Sequence, residues 1–278
     1  MDQRLAQLIE RSIREAGHAA LAFYGGVYTI TEKSRNNPVT EADFASEKIL
    51  LEALGGVDGY GLLSEESWKV QHPGSFERLF IIDPLDGTKD FIDETGDFSV
   101  MIGVLEKGVL VGGFVYQPTT DILYSALRGQ GAWKLYQNKR EQLHVDAAYD
   151  FTKQKILVSR FHLGKTEAGV RDILGIGDYA PMGSAGLKLA TLAEGRAHIY
   201  VAATSKMGEW DVAAGALILQ EAGGCITDLE GNTLQFGKKT PFMEKGMIAS
   251  NGVRHKELVQ AVQEIINHQS QNASHSEQ

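Results

Sequence analysis

The sequence has a single cysteine, Cys225, in 278 residues, so no disulfide can form within the chain. A chain without disulfides is typical of a reducing compartment, and we expect a cytoplasmic protein. No apolar run approaches the roughly 20 residues that a membrane-spanning helix requires. The first 23 residues place apolar side chains at helical spacing between charged ones, which indicates an amphipathic helix and not a secretory signal.

Positive charge is scarce as well. The chain has 27 Lys and Arg against 36 Asp and Glu, a net charge of −9 at pH 7. Binding to a nucleic-acid backbone needs a basic face, so we expect no nucleic-acid partner. A small polyanionic substrate stays possible if metal ions supply the positive charge locally. The Gly-x-Gly-x-x-Gly fingerprint and the P-loop are both absent, which leaves little support for a dinucleotide-binding oxidoreductase.

The pattern of the chain changes near residue 150. Before it, we predict two helices, one from Asp2 to Tyr24 and one that begins after Thr40, then an antiparallel meander from Phe98 to Ala126. From 151 to 267, strands and helices alternate. We therefore predict an α+β half over 1–150, an α/β half over 151–267 and a disordered polar tail over 268–278.

The segment Asp83-Pro84-Leu85-Asp86-Gly87-Thr88 carries the strongest functional signal. It follows the apolar run Leu79–Ile82, which predicts a buried strand whose carboxyl end presents ligands. Two close carboxylates repel each other unless a cation lies between them, and hard oxygen ligands suit Mg²⁺. Taken alone, the segment is also compatible with two consecutive surface turns.

Two further acidic elements accompany this segment. Glu65 follows the apolar run Gly61–Ser64, and Asp211 precedes a run of small residues that would let a helix pack closely on its neighbour. Alone, the first is also compatible with a solvated loop, and the second with an ordinary helix capped by Asp211. Three such elements in one chain favour a shared metal site.

Together the motifs Glu65-Glu66, Asp83–Thr88 and Trp210–Gly215 resemble those of the lithium-sensitive, Mg²⁺-dependent inositol monophosphatase-like phosphatases, which share a fold with fructose-1,6-bisphosphatase. The resemblance extends from about Leu5 to Ile266. It implies an α+β and α/β layered sandwich of alternating helix and sheet layers. It also implies two or three Mg²⁺ ions, a small phosphorylated substrate and a monomer or homodimer.

The resemblance also implies roles for individual residues. The metal ligands would be Glu65, Asp83, Asp86, Asp211 and the main-chain carbonyl of Leu85. The catalytic residues would be Asp43, Thr88 and Glu65, with Asp43 and Thr88 orienting the attacking water. The substrate would contact Asp86, Gly87, Thr88, Ser184, Lys188, Lys206 and Asp211.

Two departures from the inositol phosphatases point to a branch of the family. Lys89-Asp90-Phe91 stands where those enzymes more often have Asn-Phe, and Thr204 stands where they typically have Glu. Both features resemble the 3′(2′),5′-bisphosphate nucleotidases of sulfur metabolism, which implies removal of the 3′-phosphate of adenosine 3′,5′-bisphosphate. An inositol monophosphatase, a fructose-1,6-bisphosphatase-type sugar-phosphate phosphatase and a non-catalytic metal-binding protein on the same scaffold are the alternatives.

Overall fold

The computed structural model describes residues 1–34, 37–68, 76–161 and 164–276, and it begins with two helices joined by a hairpin. Helix α1 (Gln3–Leu21) is capped by Asp2, and α2 (Glu41–Leu54) begins at the predicted Thr40 cap. In α2, Thr40 and Asp43 form a reciprocal capping box, which satisfies two otherwise unpaired amides. Strands β1 (Ile30–Ser34) and β2 (Asn37–Thr40) pair antiparallel between the helices. The sequence does not predict this hairpin, because its residues are mostly polar and exposed.

The first half of the chain forms a seven-stranded sheet in sequential order from β3 to β9. Its strands are β3 (Gly61–Ser64), β4 (Arg78–Asp86), β5 (Ser99–Glu106), β6 (Val109–Gln117), β7 (Ile122–Leu127), β8 (Ala132–Tyr136) and β9 (Lys139–Leu143). The short helix α3 (Thr88–Ile92) follows β4. Strands β3 and β4 are parallel and every other pair is antiparallel. The predicted meander is confirmed in β5, β6 and β7.

The second half forms a five-stranded sheet of order β11-β10-β12-β14-β13. Its elements are β10 (Lys155–Ser159), α4 (Lys165–Leu174), β11 (Asp178–Met182), α5 (Ala185–Ala193), β12 (Ile199–Ala202), α6 (Ala213–Glu221), β13 (Cys225–Thr227), β14 (Met247–Ser250) and α7 (His255–Ser276). Strands β10, β11 and β12 run parallel, so the loops that follow them lie at one edge of the sheet.

Alternate residues of the strands face different helix layers. On β4, Phe80 and Ile82 pack with α1 and α2, whereas Leu79 and Ile81 face α5 and α6. The five-stranded sheet covers the other side of α5 and α6, and α4 and α7 close its outer face. The layers are therefore helix, sheet, helix, sheet, helix, and the expected layered sandwich is confirmed.

The end of the chain differs from expectation. Helix α7 continues to Ser276, so most of the segment 268–278, for which the sequence predicts disorder, is helical, and residues 277–278 lie outside the described residues. The residues of that segment are mostly polar and lack the apolar periodicity that would indicate a helix. Within the described part of the chain, no helix is both long and apolar enough to cross a membrane.

Candidate active site

Strand β4 does not end before the acidic segment but runs through it to Asp86. Asp83 pairs with Met101 of β5, and Asp86 pairs with Ser99. The chain therefore advances three residues along β4 between these two pairs but only two residues along β5. One extra residue makes a bulge, which re-aims side chains locally. The segment is thus part of a buried strand, and the alternative of two surface turns is wrong.

Glu65 reaches the same edge because β3 lies parallel to β4. The Glu65 amide donates to the Ile82 carbonyl at 3.1 Å, which holds the first residue after β3 against β4. Glu47 of α2 holds the loop that follows β3, since its Oε1 accepts hydrogen bonds from Ser64 at 2.5 Å and Ser67 at 2.9 Å. The Glu65 carboxylate is therefore supported from both the sheet and α2.

Close helix packing positions Asp211. A Cβ on Gly113 of β6 would lie 2.4 Å from the Ala214 carbonyl oxygen, and one on Gly103 of β5 would lie 2.7 Å from the Ala213 Cβ. The predicted close packing of this small-residue helix is confirmed. The alternative of an ordinary helix capped by Asp211 is wrong, because α6 begins at Ala213 and Asp211 Oδ2 instead accepts the Gly208 amide at 2.5 Å.

The three acidic elements meet at one point. One carboxylate oxygen from each of Glu65, Asp83 and Asp211 lies within 4.8 Å of the other two. Asp83 is fully buried, and its Oδ2 has no hydrogen-bond partner within the described residues. Burial, and then the neighbouring charges, raise the pKa values of Asp83 and Asp211 well above the usual range. Hard oxygens, shared negative charge and an unpartnered buried acceptor fit a divalent cation.

Lys33 of β1 supplies the positive charge that the structure places nearest to this cluster. Its Nζ lies 2.7 Å from carboxylate oxygens of both Glu65 and Glu66. Burial lowers the pKa of Lys33, but the two carboxylates outweigh it and the pKa is raised. The Glu66 side chain is almost fully buried, and burial raises its pKa to about 7. Glu66 is therefore paired with Lys33, while Glu65 faces both Lys33 and the cluster.

Asp86 lies beside the cluster and faces α5. Its Oδ2 accepts the Ser184 hydroxyl at 2.5 Å and the Gly186 amide at 2.9 Å. Burial raises the pKa of Asp86, whereas these hydrogen bonds lower it by stabilising the charged form. Asp86 is not among the three residues whose oxygens converge within 4.8 Å, so its predicted place as a metal ligand stays a prediction.

Asp43 and Thr88 are brought together from α2 and α3. The Thr88 hydroxyl lies 3.1 Å from Asp43 Oδ1 and 3.3 Å from the Leu85 carbonyl. Asp43 Oδ2 accepts the Thr40 amide at 2.8 Å and the Thr40 hydroxyl at 2.7 Å. Burial raises the Asp43 pKa to about 6. The α2 capping box thus holds the Asp43 carboxylate in place beside Thr88.

Gly87 makes the turn from β4 into α3 with φ at +96°, a conformation that side chains disfavour. A Cβ there would also lie 2.8 Å from the Asp97 carbonyl oxygen. Glycine is thus required both by the backbone angle and by the space.

The residues predicted to contact substrate from the second half lie in different environments. Lys188 is buried, and its Nζ donates to the carbonyls of Met182 at 3.0 Å and Gly183 at 3.2 Å. Burial lowers its pKa to about 8. Lys206 is exposed on the loop between β12 and α6. Lys188 is thus hydrogen-bonded within the protein, whereas Lys206 is accessible to solvent. The substrate role of each stays a prediction.

The sequence does not single out Lys33, Glu47 or Ser99. Lys33 contacts Glu65 and Ser99 contacts Ser184, which are predicted site residues, whereas Glu47 holds Ser64 and Ser67 on either side of Glu65. Lys33 lies in a polar hairpin, and Glu47 lies among ordinary helical positions. Ser99 begins a strand with no motif around it. Each contact depends on pairing between distant elements, so only the register of the folded chain identifies these residues.

Comparison with known proteins places this geometry in context. A model of the inositol monophosphatase family matches residues 1–267. The 3′(2′),5′-bisphosphate nucleotidase CysQ of Salmonella typhimurium is 35% identical over 240 residues, which cover 84% of this chain and 94% of that protein. The inositol-1-monophosphatase of Rhizobium meliloti is 32% identical over 271 residues, 94% of this chain and 96% of that protein. The crystal structure of extragenic suppressor protein SuhB from Bartonella henselae superimposes with a TM-score of 0.79 at 27% identity, covering 94% of this chain and 98% of that one.

Proposed function

The chain belongs to the inositol monophosphatase family, and we propose that it is a Mg²⁺-dependent phosphomonoesterase that removes the 3′-phosphate of adenosine 3′,5′-bisphosphate. The products are AMP and inorganic phosphate. The chemistry is supported by the carboxylate cluster of Glu65, Asp83 and Asp211, with its unpartnered buried oxygen. The substrate is supported by the nucleotidase at 35% identity together with Lys89-Asp90-Phe91 and Thr204.

Glu65, Asp83 and Asp211 would hold one Mg²⁺, and Asp86 with the Leu85 carbonyl would complete the set for two or three ions. When bound, Mg²⁺ neutralises the carboxylates and the substrate phosphate, and lowers the pKa of water in the site. The family relationship implies these ligands. The converging carboxylates of this chain, with the unpartnered Oδ2 of Asp83 among the described residues, are the physical reason that a cation would bind.

Asp43 and Thr88 would prepare the attacking water. Thr88 donates to Asp43 in the structure, so its hydroxyl oxygen is free to accept a hydrogen bond from water. The proton would then pass through Thr88 to Asp43, whose other oxygen is held by two hydrogen bonds from Thr40. A pKa raised to about 6 suits a base that works near neutral pH. The amides of Gly87 and Thr88 would receive the phosphate oxygens.

The nucleotide would lie at the edge where β10, β11 and β12 end. The loops after these parallel strands include Gly183, Thr204 and Lys206. Lys206 is exposed there and would bind the second phosphate. Thr204 carries no charge, whereas the Glu typical of inositol phosphatases at this position would repel that phosphate. An inositol phosphatase is the second candidate, since the Rhizobium meliloti relative carries that name.

A substrate panel tests the proposal. Phosphate release is measured from adenosine 3′,5′-bisphosphate, inositol 1-phosphate and fructose 1,6-bisphosphate, each with Mg²⁺, with EDTA and with added Li⁺. We expect the highest kcat/KM for the nucleotide, no release in EDTA and inhibition by Li⁺. A higher kcat/KM for either of the other substrates would overturn the substrate assignment. Mg²⁺ binding without turnover of any substrate would instead favour a non-catalytic protein.

A further inference from the structure

The Ser184 hydroxyl uses all of its hydrogen-bonding capacity inside the protein. A hydroxyl offers one hydrogen and two acceptor positions. Ser184 Oγ donates to Asp86 Oδ2 at 2.5 Å, accepts the Leu187 amide at 3.0 Å and lies 2.9 Å from the Ser99 hydroxyl. The structure therefore assigns this hydroxyl to Asp86, and the substrate contact that the sequence predicts for Ser184 stays a prediction.

The backbone of Ser184 supports the same interpretation. Its φ is +49° and its ψ is 121°, in a region that residues other than glycine rarely occupy. Such strain persists only where the surroundings enforce it, and it concentrates at functional sites. Ser184 is buried and caps α5, so this conformation aims both its hydroxyl and the Gly186 amide at Asp86.

Ser99 completes the arrangement from the sheet. It is fully buried and lies directly opposite Asp86 where the β4 bulge meets β5. Because the Ser184 hydrogen is already donated to Asp86, the 2.9 Å contact with Ser184 must be donated by Ser99. The hydrogen bonds thus run in one direction, from Ser99 to Ser184 to Asp86.

We propose that Ser99 is a positioning residue for the metal site, which acts by fixing Ser184 so that Ser184 and Gly186 hold Asp86 Oδ2 and orient the carboxylate toward the cation. This inference rests on the proposed metal site. A donor pair on one oxygen sets the rotation of a carboxylate, and such supporting contacts commonly change metal affinity. Ser99 itself touches neither cation nor substrate.

The test is a double-mutant cycle on Mg²⁺ affinity. The dissociation constant is obtained from the rise in Tm of the full-length protein as Mg²⁺ is titrated, and kcat for adenosine 3′,5′-bisphosphate is measured in parallel. We expect Ser184→Ala to weaken Mg²⁺ binding by about 10- to 100-fold. Ser99→Ala should weaken it by about 3- to 10-fold, the equivalent of one hydrogen bond. The double variant should match Ser184→Ala alone, because Ser99 acts only through Ser184.

Ser12→Ala is the matched control, since Ser12 is also buried and its hydroxyl bonds the Leu8 carbonyl of α1 at 2.8 Å. It should leave Mg²⁺ affinity within about two-fold of the wild type. If Ser99→Ala does not fold, Ser99→Cys, of similar volume and weaker donor strength, should also bind Mg²⁺ more weakly than the wild type. Unchanged affinity in the Ser99 variant that folds, or additive losses in the double variant, would overturn the inference. A wild-type protein that binds no Mg²⁺ would instead overturn the proposed function.

Discussion

At the scale of single residues, the site is a set of like charges that the protein buries without full compensation. Asp83 has no exposed surface, and one of its oxygens has no hydrogen-bond partner among the residues that the structure describes. Lys33 lies close to Glu65 and Glu66. Uncompensated buried charge lowers stability. The metal-free protein therefore carries a cost at this site that a divalent cation would remove.

Asp83→Asn tests that cost. The pKa of Asp83 is higher in the folded state than in the unfolded state, where it is about 4. The free energy of unfolding therefore decreases as the pH rises from the unfolded-state pKa through the folded-state pKa. At pH 7.5, the neutral amide should raise the Tm of the metal-free protein by a few degrees, since about 1 kcal/mol shifts Tm by roughly 2–4 °C at this size. The same variant should lose the Mg²⁺-dependent rise in Tm. Thermal unfolding with EDTA and with Mg²⁺ measures both effects.

Asp58→Asn is the control, because Asp58 is exposed and lies beside Tyr60 before β3, away from the carboxylate cluster. It removes the same charge and should leave both Tm values unchanged. A lower Tm for metal-free Asp83→Asn, or an intact Mg²⁺ response in it, would contradict the account of the cluster.

The sequence identifies the residues that carry the charge but not those that hold them. Motif and spacing identify all four acidic residues. Glu65, Asp83 and Asp86 come after apolar runs, and Asp211 precedes a run of small residues. Ser99 is not identified in this way, because its contact with Ser184 joins β5 to the N-terminal cap of α5 and depends on the register of the bulge. A sequence motif consists of residues that are close along the chain. Ser99 and Ser184 are 85 positions apart and come into contact only in the folded structure.

At the scale of elements, the position of Asp211 depends on how closely α6 lies against β5 and β6. Gly103 and Gly113 leave the space into which Ala213 and Ala214 fit. A side chain in this space would press on helix backbone, which cannot rotate away. The helix would have to shift and carry Asp211 with it.

Gly113→Ala should therefore reduce both stability and Mg²⁺ affinity. Its Cβ would lie 2.4 Å from the Ala214 carbonyl oxygen, and overpacking of this kind costs about 1–3 kcal/mol. Unfolding in urea and Mg²⁺ titration of Tm measure the two effects. Gly177→Ala is the control, since nothing lies within 4 Å of a Cβ at that position. Wild-type Mg²⁺ affinity in Gly113→Ala would contradict the role given to the glycine.

Helix α7 is joined to the five-stranded sheet through His255. Its Nδ1 accepts the Ser250 hydroxyl at 2.7 Å. Thr227 Oγ1 donates to the Asp228 carbonyl, so it accepts from His255 Nε2 at 3.0 Å. Burial lowers the pKa of His255 below its usual 6.5, which favours the neutral ring, and in the neutral ring with Nε2 as donor Nδ1 is the acceptor for Ser250.

A lowered pKa predicts an acid-sensitive contribution to stability. The unfolded state takes up the proton first, so the contribution is complete above pH 6.5 and is lost as pH falls through the folded pKa. His255→Gln should therefore be less stable than wild type at pH 7.5, by about 1 kcal/mol or more for the two hydrogen bonds. The difference should shrink at pH 5.5. His268→Gln, on an exposed part of α7, should show neither effect, and a pH-independent difference for His255→Gln would contradict the prediction.

Elements differ in how far sequence predicts them. The Thr40 cap with Asp43 three residues later indicates the start of α2 directly, because capping is a local interaction. The hairpin of β1 and β2 has no apolar alternation, and the end of α7 has no apolar face, so neither is predicted. An element that is stabilised by contacts with residues distant in sequence is not predicted by its local sequence pattern alone.

At the scale of the whole molecule, the two halves share a core. Helices α5 and α6 belong to the second half, yet they cover one face of the seven-stranded sheet. The chain passes from one sheet to the next between β9 and β10, and its division into two halves near residue 150 stays a prediction. Alternation of strand and helix indicates the second sheet, but only the family resemblance predicts how the five layers stack. The site lies between the halves, with Glu65 and Asp83 from one and Asp211 from the other.

We propose that this shared site binds Mg²⁺ and hydrolyses a nucleotide bisphosphate. The most direct measurement is phosphate release from adenosine 3′,5′-bisphosphate by wild type and Asp83→Asn, each with Mg²⁺ and with EDTA. We expect release by wild type with Mg²⁺ only, and a loss of kcat of at least about 10-fold to 100-fold in Asp83→Asn, the loss expected even from a supporting residue of a metal site. Equal release in EDTA, or undiminished release by Asp83→Asn, would contradict it.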